Sequence, residues 1–280
     1  MAATSTAVSP WVERVLGHRV DPVTKARAAE AVVERALVGE PGAYVCLTNV
    51  HTTVESRRSA ELRAAVDGAY LSVPDGMPLT WILRRRGHIE TEKVTGIEFI
   101  PAVASTGLDR GLRHFFYGGA PGVAVRAGLH LEELVPGANV VGAASPPFAN
   151  AHGGWPVEDL ERELRRTRPH VLWIGLGAPK QELLMAELAE RVDVPVMVGV
   201  GAAFDYLAGT KAAAPTALRH IGLEWLFRLA VEPRRLARRY IVGNAIFLWL
   251  LARDALRRRF RGRGRHERPE RVGAHDRSST

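Results

Sequence analysis

Six times between Tyr44 and Gly201 a short, continuously apolar run stops abruptly at polar or glycine-rich residues. The runs are YVCLT (44–48), AYLSV (69–73), HFFYGG (114–119), ANVVGAA (138–144), HVLWIGLG (170–177) and VPVMVGVG (194–201). A strand that is apolar at every position must be buried on both faces, and amphipathic helical patterns separate these runs. That combination predicts an α/β fold, Rossmann-like, with a mostly parallel sheet covered by helices on both faces. No sequence period repeats, which excludes a solenoid. In such folds ligands bind beyond the carboxyl ends of the strands. The segments Thr48-Asn49, Pro74-Asp75-Gly76, Gly118-Gly119, Gly175-Leu176-Gly177 and Gly199-Val200-Gly201 are therefore expected to face one crevice.

Ahead of the first run, VLGHRVD reads as a hairpin, and Asp21-Pro22 as the N-cap and first residue of a helix that stops near Gly39. Further helices are expected over SRRSAELRAAV, MPLTWILRRRG and VAVRAGLHLEELV, and around 157–168 and 179–191. The one cysteine, Cys46, lies inside an apolar run as a small buried hydrophobe, so there is no disulfide framework and a cytosolic setting is expected. The opening MAATSTAVSP lacks the basic start and apolar core of a signal peptide, so residues 1–11 read as a loose tail.

Charge divides the rest. Residues 1–210 carry 21 Lys+Arg against 24 Asp+Glu, whereas residues 211–280 carry 17 against 6. An α/β domain over 12–210, a helical basic appendage over 211–261 and a disordered basic tail over 262–280 are expected. An acidic body with a basic end points to an anionic partner. Within the appendage, IVGNAIFLWLL (241–251) is too short for the ~20 residues that span a bilayer. Flanked by arginines and bearing Trp249, it suits a helix lying in a membrane interface, and it equally suits a core helix followed by a solvated basic tail. Nucleic acid is not an expected partner, because the aromatic residues are not interleaved with glycine and arginine as stacking platforms.

Several strand ends could carry chemistry. Pro-Asp-Gly is ordinary turn chemistry, yet it also places the Asp75 carboxylate in the expected crevice. In FFYGGAPGVA, Gly118, Gly119 and Gly122 form either a tight strand–helix turn or a backbone cradle for an anion. In WIGLGAPKQE, Lys180 and Gln181 open a helix and could bind phosphate or sugar hydroxyls. Asp205 follows another strand end, as a ribose acceptor or an N-cap. No Asp-x-Asp pair follows an apolar strand, and the ten histidines show no metal-ligand spacing, so no metal and no cofactor are expected. There is no G-x-S-x-G elbow and no P-loop lysine in frame.

The ordered blocks LTNVHTTV, VPDGMPLTW, KVTGIE, FFYGGAPGVA, WIGLGAPKQE, GVGAAFDYLAG and GLEWLFRLAVEPRRLARRY resemble the WecG/TagA/CpsF glycosyltransferases over about residues 12–255. The resemblance implies an inverting transfer from a UDP-sugar, such as UDP-N-acetylmannosamine, to a saccharide on polyprenyl diphosphate. The products would feed cell-surface polysaccharide or teichoic-acid-type polymers, made peripherally at the cytoplasmic face of the plasma membrane. It implies Asp75 as general base, Thr48 and Asn49 shaping the sugar site, Gln181 contacting the donor, and Arg228, Arg235 and Arg238 closing over the diphosphate. It also implies metal independence.

Two departures stand out. A block usually written Arg-Val-x-Gly-x-Asp is Lys93-Val94-Thr95-Gly96-Ile97-Glu98 here, and a lysine cannot make an arginine's bidentate pair. Asn-Pro is replaced by Asn49-Val50-His51, which makes His51 a second base candidate. A homo-oligomer is compatible with the sequence. The competing class is a non-catalytic nucleotide-binding protein recruited to membranes by its basic end. An epimerase is opposed by the missing Tyr-x-x-x-Lys pair.

Overall fold

The computed structural model describes residues 12–146, 157–215, 218 and 222–263. Strands β3 (Ala43–Thr48), β4 (Leu71–Pro74), β5 (Arg113–Gly118), β6 (Asn139–Ala144), β7 (Val171–Gly175) and β8 (Val196–Gly199) build one six-stranded sheet in the order β4-β3-β8-β7-β5-β6. Every pairing in it is parallel. Alternate residues of the four central strands β3, β8, β7 and β5 enter different cores, which is why those runs are apolar throughout. Val45, Trp173 and Val198 pack with α1 (Lys25–Val38), α5 (Gly96–Thr106), α6 (Val123–Leu134) and α9 (Ala203–Leu207). Cys46, Leu172 and Met197 face the opposite layer, formed by α3 (Ala60–Asp67), α7 (Val157–Thr167) and α8 (Lys180–Leu188).

The expected hairpin is present as β1 (Glu13–Val15) and β2 (His18–Val20). Asp21, however, does not cap a helix. It is buried, accepts from Nε and Nη2 of Arg19 at 3.0 Å each, and accepts the Ser72 N–H at 2.8 Å. Thr24 takes the capping role by accepting from the Arg27 N–H, so α1 begins at Lys25. The helix expected over SRRSAELRAAV is also shorter: α2 (Val50–Glu55) ends before it, and Ser59 caps a fresh start at Ala60. Helix α5 was not expected from the sequence, since it starts on a glycine and holds Pro101 inside.

A third core joins the hairpin to the chain's end. Val15, Leu16 and Val20 pack with Val54 of α2 and with Leu79 and Leu83 of α4 (Met77–Arg85). Phe247 and Leu250 of the last helix complete this cluster. The C-terminal segment runs through α10 (Glu224–Val231), α11 (Pro233–Ala237), one π-helical stretch (Arg238–Val242) and α12 (Gly243–Arg263). Helix α12 thus buries one side against the body while Leu248, Trp249 and Leu256 stay exposed. The core-helix role weighed for IVGNAIFLWLL is the one seen at Phe247 and Leu250.

Candidate active site

The Pro-Asp-Gly turn is built by the strand it ends. The Asp75 N–H donates to the Thr48 carbonyl at 2.7 Å, extending the β3–β4 ladder one residue past the strand. The Pro74 carbonyl accepts the Val94 N–H at 2.9 Å. Gly76 then takes φ +123°, a backbone region that side chains exclude, and Pro78 lies in the first turn of α4. The turn thereby fixes a half-buried carboxylate at the carboxyl edge of the sheet.

Asn49 stands beside it as the N-cap of α2. Its Oδ1 accepts the N–H groups of His51 and Thr52, which commits Nδ2 to face Asp75 Oδ2 at 3.4 Å. Two adjoining cavities, of about 140 and 120 Å³, meet at these residues. Asn49, Asp75, Thr95, Glu224 and Arg228 line both. The first cavity continues to His51, Lys93, Trp225 and Tyr240, so the C-terminal helices form its roof. The second runs over the ends of β3, β8 and β7 to Gly177, Gly201 and Tyr206.

Burial is the main reason that the Asp75 carboxyl is pushed up to about 6, and the Glu224 carboxylate adds to it. The Asn49 donor, Arg228 and Lys93 oppose the rise. Lys93 Nζ lies 3.5 Å from Glu224 Oε2, an ion pair that ties the loop before α5 to α10. The Arg228 guanidinium sits 5.5 Å above the Tyr206 ring. Its Nε and the buried Thr95 hydroxyl make no hydrogen bond among the described residues. Two donors at the junction of the cavities are thus available to a ligand. A carboxyl titrating near neutrality beside cationic donors can accept a proton while negative charge develops next to it.

The other expected site residues have different places. Thr48 is buried beneath the site, with Oγ1 bonded to Ser72 Oγ at 2.8 Å and to His18 Nε2 at 3.3 Å. Burial lowers that histidine to about 4, so it is a neutral structural partner. Gln181 lines the second cavity, but its Oε1 accepts the N–H groups of Gly177 (3.1 Å) and Gly201 (2.9 Å), and its Nε2 donates to Glu182. It stitches two strand ends together. Lys180 is exposed at the start of α8 and lines neither cavity.

Asp205 turns away to pair with Lys211 at 3.0 Å, and its neighbour Tyr206 faces the cavity instead. Gly118 has φ +138° and lies so close to Gly175 that a Cβ would sit 2.6 Å from its carbonyl oxygen. Gly118, Gly119 and Gly122 lie beyond the linings of both cavities, over β5. The side chains of Arg235 and Arg238 lie outside the described residues. Sequence reasoning missed Thr95, Glu224, Trp225 and Tyr240. The available signal was their presence in the KVTGIE and GLEWLFR…RRY blocks.

A family model described as the glycosyl transferase WecG/TagA/CpsF family matches residues 13–261. The chain belongs to that family. A glycosyltransferase role follows, and the match takes in both the sheet and the C-terminal helices that roof the cleft. No three His, Cys, Asp or Glu side chains are grouped as metal ligands among the described residues. Among those residues, too, no helix is long and apolar enough to cross a membrane.

Proposed function

We propose that this WecG/TagA/CpsF glycosyltransferase moves an N-acetylmannosamine-like sugar, with inversion, from UDP to a saccharide on polyprenyl diphosphate. The observation that carries the mechanism is the Asp75 carboxyl, raised to about 6 where the two cavities meet. The acceptor hydroxyl attacks the anomeric carbon and its proton passes to Asp75. The bond from that carbon to the diphosphate oxygen breaks, and its electron pair leaves with UDP. Lys93, the Arg228 Nε and the Thr95 hydroxyl provide fixed positive charge and donors for the leaving diphosphate. In this reading no metal or cofactor is required.

The exposed apolar stripe of Ile241, Leu248, Trp249 and Leu256 supports a lipid-linked acceptor, presented at the cytoplasmic face of an anionic membrane where the product enters a cell-surface polymer. The experiment incubates the full chain with UDP-sugars and polyprenyl-diphosphate acceptors and identifies products by mass. Asp75→Asn is expected to lower transfer by about 10²–10⁴-fold, the range for a positioned base. Near-normal transfer by that variant would move the base assignment to His51, which lines the same cavity.

A further inference from the structure

A second cavity system lies at the far ends of two helices that also reach the cleft. In α2, His51 lines the cleft, while Arg57, just past the other end, lines a separate cavity of about 240 Å³. A six-residue helix spans about 9 Å. In α12, Asn244 lines the cleft, while Leu250, Arg253, Asp254 and Arg257 line the separate cavity. The hairpin supplies Arg14, Leu16 and Gly17. Four arginines from three elements therefore line it, with Asp254 as the one carboxylate in the lining among the described residues.

Several of these groups are held in place by contacts that leave other N–H donors over. Arg14 Nη1 donates to the Gly17 carbonyl at 2.9 Å and pairs with Asp67 outside the cavity. Arg57 Nη1 donates to the Leu16 carbonyl at 2.9 Å. The Arg253 guanidinium lies 4.8 Å from the centre of the Trp249 ring. Asp67 and Asp254 offset part of this positive charge, and a bound anion would offset the remainder. Arginine forks match the oxygen geometry of phosphate, with several donors per group. Trp249 and Leu256 are exposed on the same helix, each next in sequence to a residue of the lining.

We propose that the cavity between the β1–β2 hairpin, the end of α2 and α12 is a phosphate-binding site, filled by a lipid head group or by a soluble phosphate. The site is separate from the transfer reaction and does not rest on it. Two arms distinguish the sources: sedimentation of the full chain with phosphatidylcholine vesicles with and without phosphatidylglycerol, and calorimetry with inorganic phosphate and pyrophosphate. Arg57→Gln/Arg257→Gln is expected to weaken binding about 25-fold in the arm where the wild type binds, about fivefold for each arginine. Arg257→Glu alone, at an exposed position, is expected to weaken it at least fivefold and guards against a disturbed hairpin.

The control Arg162→Gln/Arg166→Gln removes the same charge from α7, where both arginines pair within their own helix. It is expected to change binding less than about twofold. Sugar transfer to a water-soluble acceptor is expected to be unchanged in the cavity variants, so failure here and failure of the transferase reading are distinguishable. The proposal is overturned if the wild type binds in neither arm, if the cavity variants bind as it does, or if the control loses as much as they do.

Discussion

Replacing Asp75 by Asn is expected to do two opposite things: abolish most transfer and stabilise the fold. The carboxyl is raised from 3.8 to about 6 in the folded chain. Because the folded value lies above the unfolded one, ionisation works against folding. The native state keeps its full stability below about pH 4 and loses it as the pH rises through about 6. At about 1.4 kcal/mol per pH unit, the ionised wild type carries a penalty of about 3 kcal/mol at pH 8. At pH 5 the folded carboxyl is mostly protonated while the unfolded one is mostly ionised, which leaves about half of that. Asparagine stands in for the protonated acid at every pH. Urea unfolding should therefore place Asp75→Asn about 3 kcal/mol above the wild type at pH 8, with the gap about halved at pH 5. A gap that does not narrow with falling pH, or a variant less stable than wild type at pH 8, would refute the claim that the site holds a destabilised carboxylate.

Other perturbations separate the roles of neighbouring groups. The acid limb of kcat/KM should fall near pH 6, and Glu224→Gln should move it to lower pH by less than about one unit, because burial is the larger cause of the raised value. A limb that stays in place in a pH–rate profile would remove Glu224 from the electrostatics. Gln181→Leu strips the acceptor from the N–H groups of Gly177 and Gly201 and should cost about 2–4 kcal/mol by urea unfolding. If that variant kept its stability and lost only donor affinity, the stitching role would be wrong. Phe247→Ala empties a buried position where α12 meets the hairpin, an expected loss of about 3–5 kcal/mol. Limited trypsinolysis should then cut α12 before the sheet domain, and unchanged cleavage would contradict the packing.

The parallel sheet was legible because each strand carries its own evidence. Residues 44–48, 171–175 and 196–199 are apolar on both alternating faces, and no exposed strand could tolerate that. The Asp75 turn was legible for a similar reason, since Pro74 and Gly76 flank the carboxylate in the sequence itself. Asp21 was misread because local spacing shows what could cap a helix, not that Arg19 and the Ser72 N–H would claim the carboxylate first. Gln181 lines the second cavity, and only folding shows that its amide also accepts the Gly201 N–H from twenty residues away.

What the chain's own pattern determined was the layered sheet, the edge at which the two cavities open and the carboxylate placed there. The tertiary structure decided what surrounds that carboxylate. Glu224 and Arg228 reach Asp75 from about 150 residues further along the chain, and only packing the C-terminal helices onto the hairpin and α4 brings them over the cleft. The proton affinity of Asp75 depends on that burial and on those charges. A property summed over distant neighbours leaves no mark on the residues beside it in sequence.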